Sequence, residues 1–233
     1  MSFRLKAVAL LGVAGAAMAS AVVLTGPAAR AATERCGPQC VTMASQSFGK
    51  GQVVAEGKNG TTLLAPGYNL EEDFIGMAVG TVSQLAGAKR IPASLAATYG
   101  QEVVYQLVYE PAGKLTSTCL GASSVAAGSG VTVQPCGWPQ PMPSSTLPNS
   151  TLWIGVHRDG SGDYEPFVNV AASKTSALVL TATSASGPLT INYMSLGYGG
   201  VAPDQMWESL IGPYGQAVAW PTPTGQEPLW PLR

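Results

Sequence analysis

The chain has 233 residues, of which 46% are hydrophobic, so it is long enough to form one domain with a hydrophobic core. Charged residues make up only 11% of it, against about 25% in ordinary domains, and the formal net charge is −1. No basic stripe is present, which argues against a nucleic-acid partner. The polar surface must come from Ser, Thr, Asn, Gln and backbone groups, which suits an extracellular all-β protein and offers few acids and bases for catalysis.

The first 31 residues have the pattern of a secretory signal peptide. A short basic head carries Arg4 and Lys6, and residues 7–26 follow without a charge. Cleavage is expected after Ala31, because Ala29-Arg30-Ala31 satisfies the small-x-small rule of signal peptidases, and Ala19-Ser20-Ala21 is an earlier candidate site. A retained membrane anchor is the alternative, because about 20 apolar residues can span a bilayer. The weakly hydrophobic, alanine-rich run favours cleavage and a secreted bacterial protein.

Cleavage would leave a mildly acidic domain with four cysteines. Residues 1–31 contain three basic residues and no acidic one, so the remaining 202 residues carry nine basic and thirteen acidic side chains. An even cysteine count in an exported chain favours disulfides over metal or redox chemistry. Four cysteines allow three pairings, and the spacing favours Cys36 with Cys40 and Cys119 with Cys136. A redox-active Cys36–Cys40 pair is the alternative, although no βαβ pattern surrounds it.

Short strands separated by turns are predicted along most of the remaining chain. The predicted strands cover residues 52–55, 61–64, 103–109, 115–120, 131–134, 152–156, 167–171, 177–183, 189–194 and 206–211. Helical periodicity occurs only in residues 80–99, where Pro92 would break it, so we expect a short helix or an irregular loop there. The Pro-rich residues 221–233 should be extended, with Trp220 and Trp230 packed back on the domain.

Two consecutive parts of the chain repeat one order of strands. Residues 131–134 (Val-Thr-Val-Gln) match residues 189–192 (Leu-Thr-Ile-Asn) position by position. Leu120 and Leu178 each lie 11 residues upstream of their stretch, which pairs them as equivalents. Strands spaced in this way are typical of a sandwich or a barrel, and the repeat favours a repeated barrel.

Each repeat ends on a tryptophan strand, at Trp153 in the first and at Trp207 in the second. A third, earlier unit is expected to begin at Gln52. Its later strands have no clear position between Phe74 and Tyr99, because no tryptophan occurs there.

Three units of four strands, closed by a Gln-x-Trp motif, resemble the β-trefoil of the ricin-B-type lectins. The residues that carry the resemblance are Gln205-Met206-Trp207, Trp153, Cys119-Leu120-Gly121 and residues 131–137. It implies an all-β fold with Trp153 and Trp207 in the core, and Cys119 and Cys136 stand where the family often has a disulfide. The chain is thus divided into a signal peptide (1–31), an N-terminal segment with a Cys36–Cys40 ring (32–45), a trefoil domain (46–215) and a tail (216–233).

The resemblance implies carbohydrate binding, which in this family uses an acid, an aromatic platform and an amide in each working unit. The candidate amides are Gln134 and Asn192, and the candidate platforms are Trp138 and Tyr193. Gly121-Ala122 stands where an aspartate is usual, and the residues after Leu178 also lack an acid. An acidic and aromatic cluster in the first unit adds further candidate ligands, Tyr68 and Asp73.

Other function classes have less support in the sequence. His157 is the only histidine and is interpreted as a surface residue after a strand, and no Gly-x-Ser-x-Gly motif is present, so no catalytic residue is expected. One histidine and four oxidised cysteines leave too few ligands for a metal, and no cofactor is expected. The alternative is a secreted protein-binding or inhibitory trefoil, which would use the rigid, Pro-rich loop of residues 138–143. A monomer without a stable membrane span is expected after cleavage.

The predicted export can be checked on the protein recovered from the culture medium of a secreting host. Intact-mass and N-terminal analysis should find a chain that starts at Ala32, with Cys36 joined to Cys40 and Cys119 joined to Cys136. A disulfide from Cys36 to Cys119 or to Cys136 would contradict the predicted pairing.

Overall fold

The structure is a computed structural model that describes residues 40–49, 52–66, 72–111, 116–137, 147–157, 164–172, 177–197, 200–211 and 216–218. The predictions for the signal peptide, Cys36, Tyr68, Trp138, Trp220 and Trp230 lie outside these residues. No helix within the described part of the chain is long and apolar enough to cross a membrane.

The described strands form three consecutive units. Unit one contains β1 Cys40–Ser45, β2 Gln52–Glu56, β3 Thr62–Pro66 and β4 Glu72–Thr81. Unit two contains β5 Val103–Pro111, β6 Thr118–Ala122, β7 Val131–Pro135 and β8 Leu152–Gly155. Unit three contains β9 Tyr164–Glu165, β10 Phe167–Asn169, β11 Leu178–Ala182, β12 Leu189–Tyr193, the short β13 Leu196–Gly197 and β14 Gly200–Val201, then β15 Trp207–Ile211; β16 Gln216–Val218 pairs with β15.

The first and last strands of the units close into a barrel. Antiparallel pairing runs from β1 to β4, β5, β8 and β10, and β15 pairs with both β9 and β1. Only Pro166 separates β9 from β10, so they act as the two halves of one first strand. A proline lacks the backbone N–H that a sheet hydrogen bond needs, which explains this break.

The middle strands of each unit form a hairpin, and the three hairpins meet one another. Isolated bridges join Thr61 to Thr132, Leu63 to Pro188, and Gly130 to Thr190, so that every hairpin touches the other two. A six-stranded barrel with three mutually bridged hairpins is a β-trefoil. The expected all-β fold is therefore confirmed.

Unit one begins earlier than the sequence analysis placed it. Cys40–Ser45 is its first strand and belongs to the barrel, although the domain was expected to begin at residue 46. Gln52–Glu56, taken as the opening strand, is the second strand and pairs with β3. The tail was expected to begin at residue 216, yet Gln216–Val218 still pairs with β15.

A phenylalanine explains why unit one was hard to recognise. Each closing strand pairs with the first strand of its own unit, where Trp153 faces Tyr105 and Trp207 faces Glu165, and with the first strand of the next unit, where they face Asn169 and Ser45. Phe74 makes the corresponding pairs, with Val41 in its own unit and with Tyr109 in the next. Phe74 therefore occupies the position of the closing tryptophan.

The hairpin register also changes one predicted equivalence. Leu120 pairs with Val133, and Leu180 pairs with Ile191, so Leu120 corresponds to Leu180 rather than to Leu178. The connection between β6 and β7, residues 123–130, is longer than the connection between β11 and β12, residues 183–188. Counting back from the third strand without allowing for this difference produced the shift of two residues.

Two buried indoles each join two strands of one unit inside the barrel. Trp153 and Trp207 are both 0% exposed. The Nε1 of Trp153 donates a hydrogen bond of 2.8 Å to the carbonyl oxygen of Leu120, and that of Trp207 donates one of 3.0 Å to the carbonyl oxygen of Leu180. Each bond links a closing strand to the second strand of the same unit and satisfies the indole N–H in a dry core.

The disulfide between Cys119 and Cys136 is confirmed, and it joins the neighbouring ends of β6 and β7. Both cysteines are fully buried. The Nε2 of Gln106 donates a hydrogen bond of 2.9 Å to the carbonyl oxygen of Cys136, which ties the hairpin to β5.

A pair of short helices, α1 Val82–Gly87 and α2 Ser94–Tyr99, is inserted between units one and two. Pro92 lies in the break between them, as the sequence indicates. Thr81 and Gln84 form a capping box at the start of α1, which satisfies two backbone N–H groups. The helices bury four side chains against the outer face of the barrel: Val82, Leu85, Ile91 and Leu95.

We predict that Trp153→Phe and Trp207→Phe each lower the free energy of unfolding by about 2 kcal/mol, because each leaves a buried carbonyl without its donor and reduces core volume. Urea unfolding of both variants measures this, with Tyr193→Phe as an exposed aromatic control that should change stability by less than about 0.5 kcal/mol. Costs no larger than the control's would contradict the structural role of the two indoles.

Candidate functional site

Each unit has one set of three equivalent positions around its hairpin, which we call its outer site. The first position directly follows the second-strand residue that faces the core residue of the third strand. The second position directly follows that third-strand core residue, and the third lies three residues before the closing position. The register assigns Gly121, Gln134 and Ser150 to unit two, and Thr181, Asn192 and Asp204 to unit three. In unit one it assigns Ala55 and Ala65, and the third position, residue 71, lies outside the described residues.

The two amides proposed from the sequence occupy equivalent positions. Gln134 pairs with Cys119 on β6, and Asn192 pairs with Val179 on β11. The Nε2 of Gln134 donates to Thr132 Oγ1 at 3.0 Å, and the Nδ2 of Asn192 donates to Thr190 Oγ1 at 2.9 Å. The repeated Thr-x-amide pattern thus holds each amide on the outer face of its strand.

In unit two, the amide of Gln134 is fully engaged by its own chain. Its Nε2 also donates to the carbonyl oxygen of Ala122 at 3.0 Å, and its Oε1 accepts a hydrogen bond of 3.1 Å from the hydroxyl of Ser150. A Cβ at Gly121 would lie 2.9 Å from Cδ of Gln134 and 3.0 Å from its Oε1. The side chain of Gln134 therefore lies across Gly121, where the family usually has an aspartate.

Unit three has shorter and more polar residues at the same positions. Asp204 lies half-buried in the 3-10 turn Pro203–Gln205, at the position that Ser150 occupies in unit two. Within the described residues, the side chain of Asn192 makes only the hydrogen bond to Thr190. The hydroxyl of Thr181 donates to the carbonyl oxygen of Val179 at 3.0 Å. An amide and a carboxylate thus stand at the two positions whose unit-two equivalents, Gln134 and Ser150, touch.

Asp204 was missed by the sequence analysis. The search for an acid looked after the second strand, at Gly121 and after Leu178, and not beside the Gln-x-Trp motif. Asp204 directly precedes Gln205 in that motif, so its proximity to a closing strand was the available signal. Gln205 itself is buried and structural: its Nε2 donates to the carbonyl oxygen of Tyr193 at 2.9 Å, and its Oε1 accepts from the N–H of Ser195 at 2.8 Å.

The two predicted platforms and the unit-one candidates are less well defined. Tyr193 is 61% exposed at the end of β12. Successive residues of a strand point to opposite faces, so its side chain leaves the strand on the face opposite to Asn192. Asp73 lies on β4 opposite Glu110 and directly precedes Phe74, so its position is equivalent to that of Met206 rather than to that of Asp204. Trp138 and Tyr68 lie outside the described residues.

A second polar cluster lies where β5, β8 and β9 approach the helical insertion. The backbone N–H of His157 donates to Glu102 Oε2 at 3.0 Å, and His157 Nδ1 lies 3.4 Å from Glu165 Oε1. A Cβ at Gly155 would lie 2.7 Å from both Glu165 Oε2 and the ring of Tyr105, so only glycine permits this close approach. His157 is exposed, as the sequence analysis expected, and it also bridges two glutamates that lie far apart in sequence.

Burial controls the protonation of this cluster. It raises the pKa of the Glu165 carboxyl above its usual range, an effect that the hydrogen bond and charge of His157 oppose and the charge of Glu102 reinforces. Burial, followed by the charges of Glu165 and Glu102, strongly raises the pKa of Tyr105, so its phenol stays neutral. Among the described residues, no group of three or more His, Cys, Asp or Glu side chains is arranged to hold a metal ion.

Comparison with known proteins adds structural neighbours only. No protein-family model and no curated protein matches the chain. Among solved structures, it is similar to a designed three-fold symmetric protein, ThreeFoil, at 12% identity and a TM-score of 0.43 over 73% of this chain and 97% of that one. It is also similar to the Haemophilus ducreyi cytolethal distending toxin, at 12% identity and a TM-score of 0.44 over 79% of this chain and 89% of that one. The strand pairing defines this chain as a β-trefoil without reference to either.

We predict that Glu165→Gln stabilises the protein more at pH 7 than at pH 4. A carboxyl whose folded pKa is raised contributes stability below its unfolded pKa, about 4.3, and loses that contribution as the pH rises through the folded pKa. The glutamine variant has no carboxyl to ionise at this position, so it does not lose this stability as the pH rises. Urea unfolding at several pH values measures the difference, with Glu56→Gln, an exposed glutamate, as the control. A stability difference between Glu165→Gln and the wild type that does not grow with pH would contradict the buried-carboxyl assignment.

Proposed function

We propose that this chain is a secreted, non-catalytic, carbohydrate-binding β-trefoil whose sugar site is the outer site of unit three. The observation that carries the proposal is the presence of Asn192 and Asp204 at two positions whose equivalents in unit two, Gln134 and Ser150, are joined by a hydrogen bond of 3.1 Å. An amide and a carboxylate at neighbouring positions suit the hydroxyl groups of one sugar ring.

The chemistry of these two groups supports a sugar rather than an anion or a metal. A carboxylate accepts hydrogen bonds from two neighbouring hydroxyls, and an amide both donates and accepts. The Asn192 Nδ2 spends one hydrogen on Thr190, which orients the amide while leaving a second hydrogen and the carbonyl oxygen for a ligand. A sugar also needs an apolar platform, and Trp138 is the proposed one, since Tyr193 leaves β12 on the face opposite to Asn192.

Units one and two have fewer polar groups available to bind a sugar. In unit one, Ala55 and Ala65 supply no polar side chain, and Tyr68 and Asp73 remain the proposed ligands. In unit two, the amide of Gln134 is already engaged, and no acid accompanies it. Among the described residues, unit three alone combines an amide with an acid at the outer positions.

The location of the remaining ionisable groups supports a non-catalytic role. The cluster of Glu102, His157 and Glu165 lies at the helical insertion, and Glu165 is largely buried against Tyr105. Its contacts join elements that are distant in sequence, which is a structural task. The secreted location is supported by the signal-like residues 1–31 and by the buried Cys119–Cys136 disulfide, since disulfides persist in oxidising compartments.

A protein-binding trefoil is the second candidate. It is supported by the exposure of Val125, 63% exposed on the connection between β6 and β7, because an exposed apolar side chain on a loop can anchor a partner. The Pro-rich residues 138–143 would extend such a surface.

A glycan array probed with the folded protein tests the proposal. Saturable binding is expected, and Asn192→Ala or Asp204→Asn should each weaken it by about tenfold or more, because each removes a hydrogen bond to a sugar hydroxyl in which a charged or oriented group takes part. Trp138→Ala tests the platform in the same way, and Tyr193→Ala should leave binding unchanged. Gln101→Ala, which removes an exposed amide between α2 and β5, serves as the matched control.

Two results would overturn the proposal. A blank array from well-folded protein would favour a protein partner instead. Glycan hydrolysis by pure protein would defeat the non-catalytic assignment.

A further inference from the structure

The outer site of unit two has the geometry of a site that is already filled. The amide of Gln134 donates both of its hydrogens, one to the carbonyl oxygen of Ala122 and one to Thr132 Oγ1, and accepts a hydrogen bond from Ser150. An amide has two donor hydrogens, so no donor is left for a ligand. A bound sugar hydroxyl would make hydrogen bonds of these same kinds with an amide at this position.

Gly121 provides the space in which this amide lies. A Cβ there would lie 2.9 Å from Gln134 Cδ, closer than real Cβ atoms approach, and 3.0 Å from Thr151 Cγ2, which is tighter than most real Cβ contacts. The side chain of Gln134 is thus packed into a hollow that exists only because Gly121 has no side chain. In unit three, a threonine replaces the glycine, and the shorter Asn192 replaces the glutamine.

We propose that Gln134 acts as an internal occupant that closes the outer site of unit two, so that unit two binds no sugar while unit three does. The inference rests on the proposed carbohydrate-binding function for its consequence, but the occupation itself does not require a sugar. It assigns the equivalent amides Gln134 and Asn192 opposite roles: the longer one fills its site, and the shorter one leaves its site open.

A double-mutant cycle tests the occupation without any ligand. Gly121→Ala should raise the equilibrium constant of unfolding by about tenfold in the wild type, because the new methyl group collides with the amide of Gln134. In the Gln134→Ala background the same change should raise it by less than about threefold. Gly130→Ala is the matched control on the same hairpin, because its Cβ would meet only Ser123 Oγ at 3.8 Å. Equal effects of Gly121→Ala in both backgrounds would overturn the occupation.

The indole N–H signals of Trp153 and Trp207 report separately on units two and three. Trp153 Nε1 is bonded to the carbonyl oxygen of Leu120, next to Gly121, and Trp207 Nε1 to that of Leu180, next to Thr181. Their resonances, assigned with the Trp→Phe variants, are followed by NMR while galactose, N-acetylgalactosamine and N-acetylglucosamine are added in turn. With at least one of these sugars, the Trp207 signal should move and the Trp153 signal should stay. Gln134→Ala should leave the apparent Kd at unit three unchanged within about twofold.

The outcomes separate the two proposals. A Trp153 signal that responds to a sugar in the wild type, and stops responding in Gln134→Ala, would make Gln134 a ligand; this overturns the inference and leaves the carbohydrate-binding function standing. If neither indole responds to any of the three sugars and the glycan array is also blank, the proposed function fails. The double-mutant cycle, which uses no sugar, then still decides whether the side chain of Gln134 occupies the space beside Gly121.

Discussion

The hydrogen bond from a buried indole to a leucine carbonyl is the contact on which units two and three depend. Trp153 reaches Leu120, and Trp207 reaches Leu180, each across the interior of its own unit. The ring fills core volume while the N–H fixes the second strand relative to the closing strand, so one side chain determines both packing and position. The register of each hairpin follows, and with it the outward direction of Gln134 and Asn192.

The sequence allowed the trefoil to be predicted because units two and three repeat their residue types in order. Alternating apolar residues at 131–134 and 189–192, together with two tryptophans, indicated strands and core without any information on contacts. Unit one lacked that signal, since its closing position is Phe74 rather than a tryptophan. The first strand at Cys40–Ser45 was missed because it was read as a segment preceding the domain.

The outer sites could be predicted only in part. The amides were found because they belong to the repeated Thr-x-amide pattern, and the register makes them equivalent. Asp204 escaped because it lies on a turn before the closing strand, which comes close to β12 only in the folded chain. Sequence could not reveal that Gln134 folds over Gly121 either, since that contact depends on the absence of a Cβ on the neighbouring strand. A difference of one methylene between glutamine and asparagine thus carries more information about the site than the presence of an amide.

The pairing of β1 with β15 has a consequence for how the molecule is made. β1 hydrogen-bonds through Thr42–Ser45 to Trp207–Leu210, more than 160 positions later in the chain. The barrel wall therefore stays open at this seam until almost the whole domain is present, however early the neighbouring hairpins form. Because contacts between distant parts of a chain slow folding, we expect closure of this seam to come late. Until it closes, β1 presents an unpaired strand edge that a chaperone, or a second unfolded copy, is able to bind.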